Sequence, residues 1–196
     1  MIKVINKLKS DKSGVTLMEL LTAVTIFSVI MLSAMQIFKL VIEGQRSAIA
    51  SDNVQSNMRY ILEIMSKEIR MTQGTNNECD EIFGVVADNR VYNKTSNTLG
   101  EALYFKNKDN ECTIYYLEED EGISRLKIQR GDNAGYLTSN NIQAENLKFL
   151  ISDNTIAEAI NTQPIVVVSM DIVPIGKKIH MATTTIQTTI SSRYYE

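Results

Sequence analysis

One histidine, two cysteines and two short acidic clusters are the residues of this 196-residue chain whose types suit chemistry beyond packing and solvation. His180 is the sole imidazole and sits in a strand-like, Thr/Ile-rich segment, so it reads as structural rather than as a general base. The sequence holds no G-x-S-x-G elbow, phosphate-binding loop or H-E-x-x-H pair, and no catalytic residue is assigned. The runs Glu118-Glu119-Asp120-Glu121-Gly122 and Asp109-Asn110-Glu111 could attract a cation, but neither has the ligand spacing of a known calcium loop. A solvated hairpin turn is the better reading of the first. One His and two Cys are too few for a zinc site of four Cys/His ligands, so neither metal nor cofactor is expected. Cys79 and Cys112 leave two alternatives open. They are unlinked thiols, or, in an oxidising compartment, a disulfide stabilising by about 3.5 kcal/mol through loop entropy.

With 20 Lys+Arg against 23 Asp+Glu the net charge is −3, and no clustered basic face suggests a nucleic-acid partner. Charge is distributed unevenly, however. Residues 1–14 carry Lys3, Lys7, Lys9 and Lys12 against Asp11 alone, and from Leu20 to Phe38 no residue is formally charged. Those 19 residues would span roughly 28 Å as a helix, about the thickness of a bilayer's hydrocarbon core. The basic flank predicts a cytoplasmic N-terminus and a C-terminal bulk on the far side. A cleaved secretory signal is the competing reading, yet Ser33-Ala34-Met35 and Ala48-Ile49-Ala50 fit an A-x-A-like site poorly. Glu19 lies at the mouth of the apolar run, where a carboxylate is disfavoured by about 2.5–3.5 kcal/mol if carried to the bilayer centre. Either it stays shallow at the interface, or it has a cationic partner. A cut after Gly14 would create such a partner as a free amine.

The stretch KSGVTLMELLTAVTIFSVIM resembles the class III leader of type IV prepilins and type II secretion pseudopilins. The resemblance implies that a prepilin peptidase cuts between Gly14 and Val15 and methylates the new amine of Val15. Glu19 would then be the fifth mature residue and act in subunit assembly. Val15 replaces the family's usual Phe, and Gln36 stands where major pilins often carry a helix-loosening proline. MRYILEIMSKEIR, LTSNNIQAENLKFLISD and TTIQTTISSR are similar to minor pilins of the PilW or J-type pseudopilin kind. The partners implied are prepilin peptidase, other pilin or pseudopilin subunits, an inner-membrane assembly platform and membrane lipid.

Elements must position these features. Val54, Met58, Ile61, Met65 and Ile69 recur at helical spacing and predict one packing stripe, with Arg59, Glu63 and Lys67 along another face. Gly74 with Asn76 and Asn77 supplies the stop, so a helix from Leu20 to Gln73 would run about 80 Å if unbroken. Strands are expected at 82–86, 102–105, 113–117, 123–129, 147–152, 165–173 and 180–190, with a short helical turn at 156–160. Pro164 and Pro174 bracket the sixth. The expected fold class is α+β: a long N-terminal helix packed on an antiparallel β domain. Its parts are a leader at 1–14, an apolar helix at 15–42, an amphipathic continuation at 43–74 and a β-rich head at 75–196. The functional expectation is a structural minor pilin or pseudopilin subunit in the inner membrane, and not an enzyme. The alternative is a single-pass anchored extracytoplasmic binding module or enzyme, which the cleavage position separates from it. Type IV pilus, type II secretion and competence machinery stay undivided by the sequence.

Overall fold

A sequence free of proline from Val15 to Gln163, with Gly44 the one glycine before Gly74, builds the long helix α1 (Leu17–Arg70). Lys67 and Arg70 in its last turn complement the negative end of the helix dipole. The helix continues through Gln36, where no proline is present to remove a hydrogen bond. The computed structural model describes residues 14–73, 79, 90–152, 163–176 and 183–193. The chain divides into two units, Met1–Arg46 and Ser47–Glu196.

In the second unit the predicted stripe faces the core. Val54, Ile61, Met65 and Ile69 are buried, and Met58 packs partly buried against them. Each such side chain stabilises the fold by about 1.5–3 kcal/mol through removal of apolar surface from water. The opposing surface comes from two antiparallel sheets. The first is a five-stranded meander of β1 (Tyr92–Ser96), β2 (Glu101–Lys106), β3 (Cys112–Asp120), β4 (Ile123–Arg130) and β5 (Asn133–Tyr136). The second has β6 (Ile142–Ser152), β7 (Ile165–Pro174) and β8 (Thr184–Ser191) in that order. A long apolar helix followed by antiparallel sheets is an α+β arrangement, consistent with a pilin-like fold.

The sheets meet at a polar junction. Lys94 Nζ donates to Glu101 Oε1 at 2.8 Å and to the Phe149 carbonyl at 2.9 Å, while the Phe149 N–H donates to Glu101 Oε2 at 2.6 Å. Burial pushes the Glu101 carboxyl up, but Lys94 and the Phe149 amide outweigh it and hold the group below its ordinary range. Gly100 is needed here for space, because a Cβ would lie 3.0 Å from the Leu147 carbonyl oxygen.

A second junction ties α1 to the meander. Glu68 accepts from the Tyr115 hydroxyl at 2.7 Å and from Arg130 Nε at 2.9 Å, with Arg130 Nη2 on the same carboxylate oxygen. Burial, reinforced by the Glu68 charge, pushes the Tyr115 phenol far above its ordinary value. Glu68→Ala is expected to leave the Tyr115 hydroxyl without this acceptor. Arg130, whose side chain is 37% exposed, can turn back to water and softens the loss. The expected cost is about 2 kcal/mol, a fall in Tm of roughly 4–8 °C by thermal melt. A melt unchanged within 1 °C would show that the junction contributes nothing net.

Several expectations are corrected. β1 and β5 lie where no strand was expected, and β6 begins at Ile142, five residues before the expected start. YNKTS is polar, yet its register against β2 buries Tyr92 and Asn93. NAGY is a strand because Gly131, at φ +51°, turns it back onto β4. The acidic run is mostly strand: Glu118, Glu119 and Asp120 belong to β3, and the turn is Glu121-Gly122 alone. Both turn residues are left-handed, at φ +52° and +79°, as a two-residue hairpin loop of the I′ type requires. The expected elements at 82–86 and 156–160, the stop at Gly74, Asn76 and Asn77, and His180 lie outside the described residues.

Candidate functional site

Gly14 and Val15 precede the helix, and Thr16 caps it. The Glu19 N–H donates to Thr16 Oγ1 at 3.2 Å, and the Leu20 N–H to the Thr16 carbonyl at 3.1 Å. Thr16 is thus the N-cap and Glu19 the third helical residue, where a carboxylate faces the positive end of the helix dipole. This Thr-x-x-Glu spacing is a capping signal readable in the sequence. Gly14 is exposed, and a Cβ built on it meets nothing within 4 Å. The chain's own packing therefore does not require glycine at this position. Val15 is 70% exposed, and Glu19 is exposed in the first turn.

From there to Leu40 every helical residue is exposed, and the most apolar 18-residue window has a mean hydropathy of 2.1 with none of it buried. A helix apolar on all sides needs cover from lipid or from other helices. Its few hydroxyls suit such surroundings. Thr22, Thr25, Ser28 and Ser33 donate to the carbonyls of Glu19, Thr22, Val24 and Val29 at 2.8–2.9 Å, so each has an acceptor without water. The helix is long and apolar enough to cross a membrane, which suggests membrane anchoring.

In the second unit Cys79 and Cys112 form a disulfide with Cα atoms 5.4 Å apart, and both residues are buried. The bond holds Cys79 at the start of β3. Replacing both cysteines by serine is expected to cost about 3.5 kcal/mol at most, for a loop of 33 residues. A thermal melt should then fall by roughly 7–14 °C. A fall under 2 °C would show that the unfolded chain is already restrained there.

Two carboxylates of the acidic run are engaged by β4 and β5. Glu118 accepts from Lys127 Nζ and from the Tyr136 hydroxyl, both at 2.7 Å, and Asp120 lies 3.2 Å from Arg125 Nη1. The Lys127 hydrogen bond, then that of Tyr136, holds the Glu118 carboxyl below its ordinary range. Asp109 is paired with Lys108 at 2.7 Å, and Glu111 accepts from Asn107. Among the described residues no group of three or more His, Cys, Asp or Glu side chains is placed to hold a metal ion. Gly14, Val15 and Glu19 form one cluster at the start of α1, in the first unit. The disulfide belongs to the second.

No curated protein and no solved structure matches the chain. Residues 9–35 match the family model described as the prokaryotic N-terminal methylation motif, and this span contains Gly14, Val15, Glu19 and most of the apolar run. The motif implies processing by prepilin peptidase and assembly with other pilins, and it suggests a structural protein. A methylation motif leading into an exposed, membrane-length helix supports a type IV pilin-like protein.

Proposed function

We propose that the chain is a minor pilin or pseudopilin subunit, made as an inner-membrane precursor and matured by cleavage between Gly14 and Val15. Residues 1–14 are then a cytoplasmic leader, 15–42 the membrane segment, 43–74 its amphipathic continuation and 75–196 an extracytoplasmic head. The observation that carries this reading is where the glycine falls. Gly14 and Val15 lie outside the helix, immediately before the Thr16 cap, so the bond between them is open backbone at the mouth of the apolar helix. After the cut Val15 would present a free amine for methylation, and the uncovered helix would pass from lipid into a bundle of like helices. Glu19 would match one subunit's height to the next.

The experiment is N-terminal sequencing and mass spectrometry of the chain recovered from membranes. A methylated N-terminus at Val15 supports the proposal. An intact Met1, or a cut beyond Ala34, replaces it with a plain anchor or signal and an extracytoplasmic binding module or enzyme. The minor role rests on the PilW-like and J-type resemblance together with a large strand-rich head. Quantitative mass spectrometry of sheared filaments should find this chain far below the main subunit. Finding it as the dominant subunit would make it a major pilin.

A further inference from the structure

The start of α1 and the Gly14–Val15 bond adjoin, so where the helix opens decides how exposed that bond is. An N-cap residue stands outside its helix while its carbonyl accepts the first helical hydrogen bond. Here that carbonyl belongs to Thr16, which accepts from the Leu20 N–H at 3.1 Å, and the Thr16 hydroxyl accepts from the Glu19 N–H at 3.2 Å. The helix therefore opens at Leu17, and Gly14 and Val15 precede it. A peptidase cutting the Gly14–Val15 bond must reach the Gly14 carbonyl with its own hydrogen-bond donors. That carbonyl stands before the helical ladder.

One hydroxyl favours this placement. Ser, Thr, Asn, Asp and Gly are good N-caps, and Val is a poor one. Upstream of Thr16 come Val15, then Gly14 and Ser13. Without the Thr16 hydroxyl, the next competent caps are Gly14 and Ser13. From either of them the helix would take in the Gly14–Val15 bond, and the Met18 N–H would donate to the Gly14 carbonyl. A carbonyl engaged in that way points along the helix and is withdrawn from a peptidase's donors.

We propose that Thr16 is a positioning residue for the maturation cut. Its hydroxyl holds the helix start beyond the Gly14–Val15 bond and so keeps the Gly14 carbonyl open to the peptidase. The inference rests on the proposed cleavage after Gly14. It gives Thr16 a part separate from that of Gly14, whose small size admits the peptidase.

Thr16→Val and Thr16→Ser separate shape from capping. Valine keeps the β-branched outline and a similar helix propensity but has no acceptor, whereas serine loses the methyl group and keeps the acceptor. The full precursor is expressed in membranes with the peptidase. Its conversion is followed by pulse–chase, and the cut is located by N-terminal sequencing. Thr16→Val should be cut at the same bond roughly fivefold more slowly, the population change that loss of a typical cap brings. Thr16→Ser should keep the parental rate. Hydrogen exchange of the full precursor in detergent micelles, without peptidase, is the second readout. Met18 is the second residue of α1, so its N–H has no intrahelical acceptor in the parent. It should exchange several-fold more slowly in Thr16→Val and at the parental rate in Thr16→Ser. Equal cutting rates for the two variants, fast or slow, would overturn the inference. Slow cutting of Thr16→Val with an unprotected Met18 amide would overturn it too, and would make the hydroxyl a direct contact of the peptidase. A parent chain that is not cut after Gly14 would instead remove the proposed cleavage itself.

Discussion

Gly14→Phe is expected to leave the chain as an uncleaved precursor held in the membrane, with the mature form absent from an immunoblot. The cause lies outside this chain's own packing. A Cβ at Gly14 meets nothing within 4 Å, and Gly14 lies outside the helix, so the substitution costs the fold little. What a bulky side chain would block is close approach of a peptidase's catalytic groups to the Gly14–Val15 bond, which glycine permits because it has no side chain. The head should be unaffected, since it belongs to the other unit, and its melting temperature in the precursor should equal that of the parent. Processing at the parental rate would remove Gly14 from the recognition step and with it the reading of residues 1–14 as a leader.

Glu19→Ala is expected to be inserted and cleaved as the parent is, and then to fail at incorporation. Glu19 is the only formally charged residue between Lys12 and Lys39 on the C-terminal side of Gly14, and it is exposed at the start of an apolar helix. Its carboxylate and a newly made Val15 amine, on the same or a neighbouring subunit, are each costly to bury alone, and pairing offsets that cost. Such a pair would form only with two helices at matching heights, so the carboxylate would select register as subunits enter. Removing one partner of a buried pair costs about 3–5 kcal/mol, a loss of a hundredfold or more in association. Crosslinking to partner pilins in the membrane is the measurement. Glu19→Gln separates charge from size, because it keeps the shape and loses the ion pair, and it should fail nearly as badly. Parental crosslinking by both variants would leave Glu19 with the structural part it already plays, at the third position of a capped helix.

Where a single local rule governs, the sequence was enough. The membrane-length helix follows from the uncharged run between Leu20 and Phe38, because a helix apolar on every side is costly in water and needs lipid or other helices around it. The buried stripe from Val54 to Ile69 follows from spacings of three and four, and the ends of β7 from Pro164 and Pro174. Gly14, Val15 and Glu19 stand out in the sequence because the roles proposed for them depend on position along one helix start.

Tertiary structure alone decided what depends on residues far apart in the chain. YNKTS became a strand because β2 supplied its ladder and the core took Tyr92, and NAGY because β4 was already in place beside it. Nothing in the local sequence sets Glu68 apart; folding brings Tyr115 and Arg130 against it from 47 and 62 residues away. The disulfide between Cys79 and Cys112 was one of two open alternatives for the same reason: two cysteines declare no distance until the chain between them is folded. Local propensity is settled within a few residues, whereas burial, ladder pairing and ion-pair partners are set by neighbours that only the folded chain brings together.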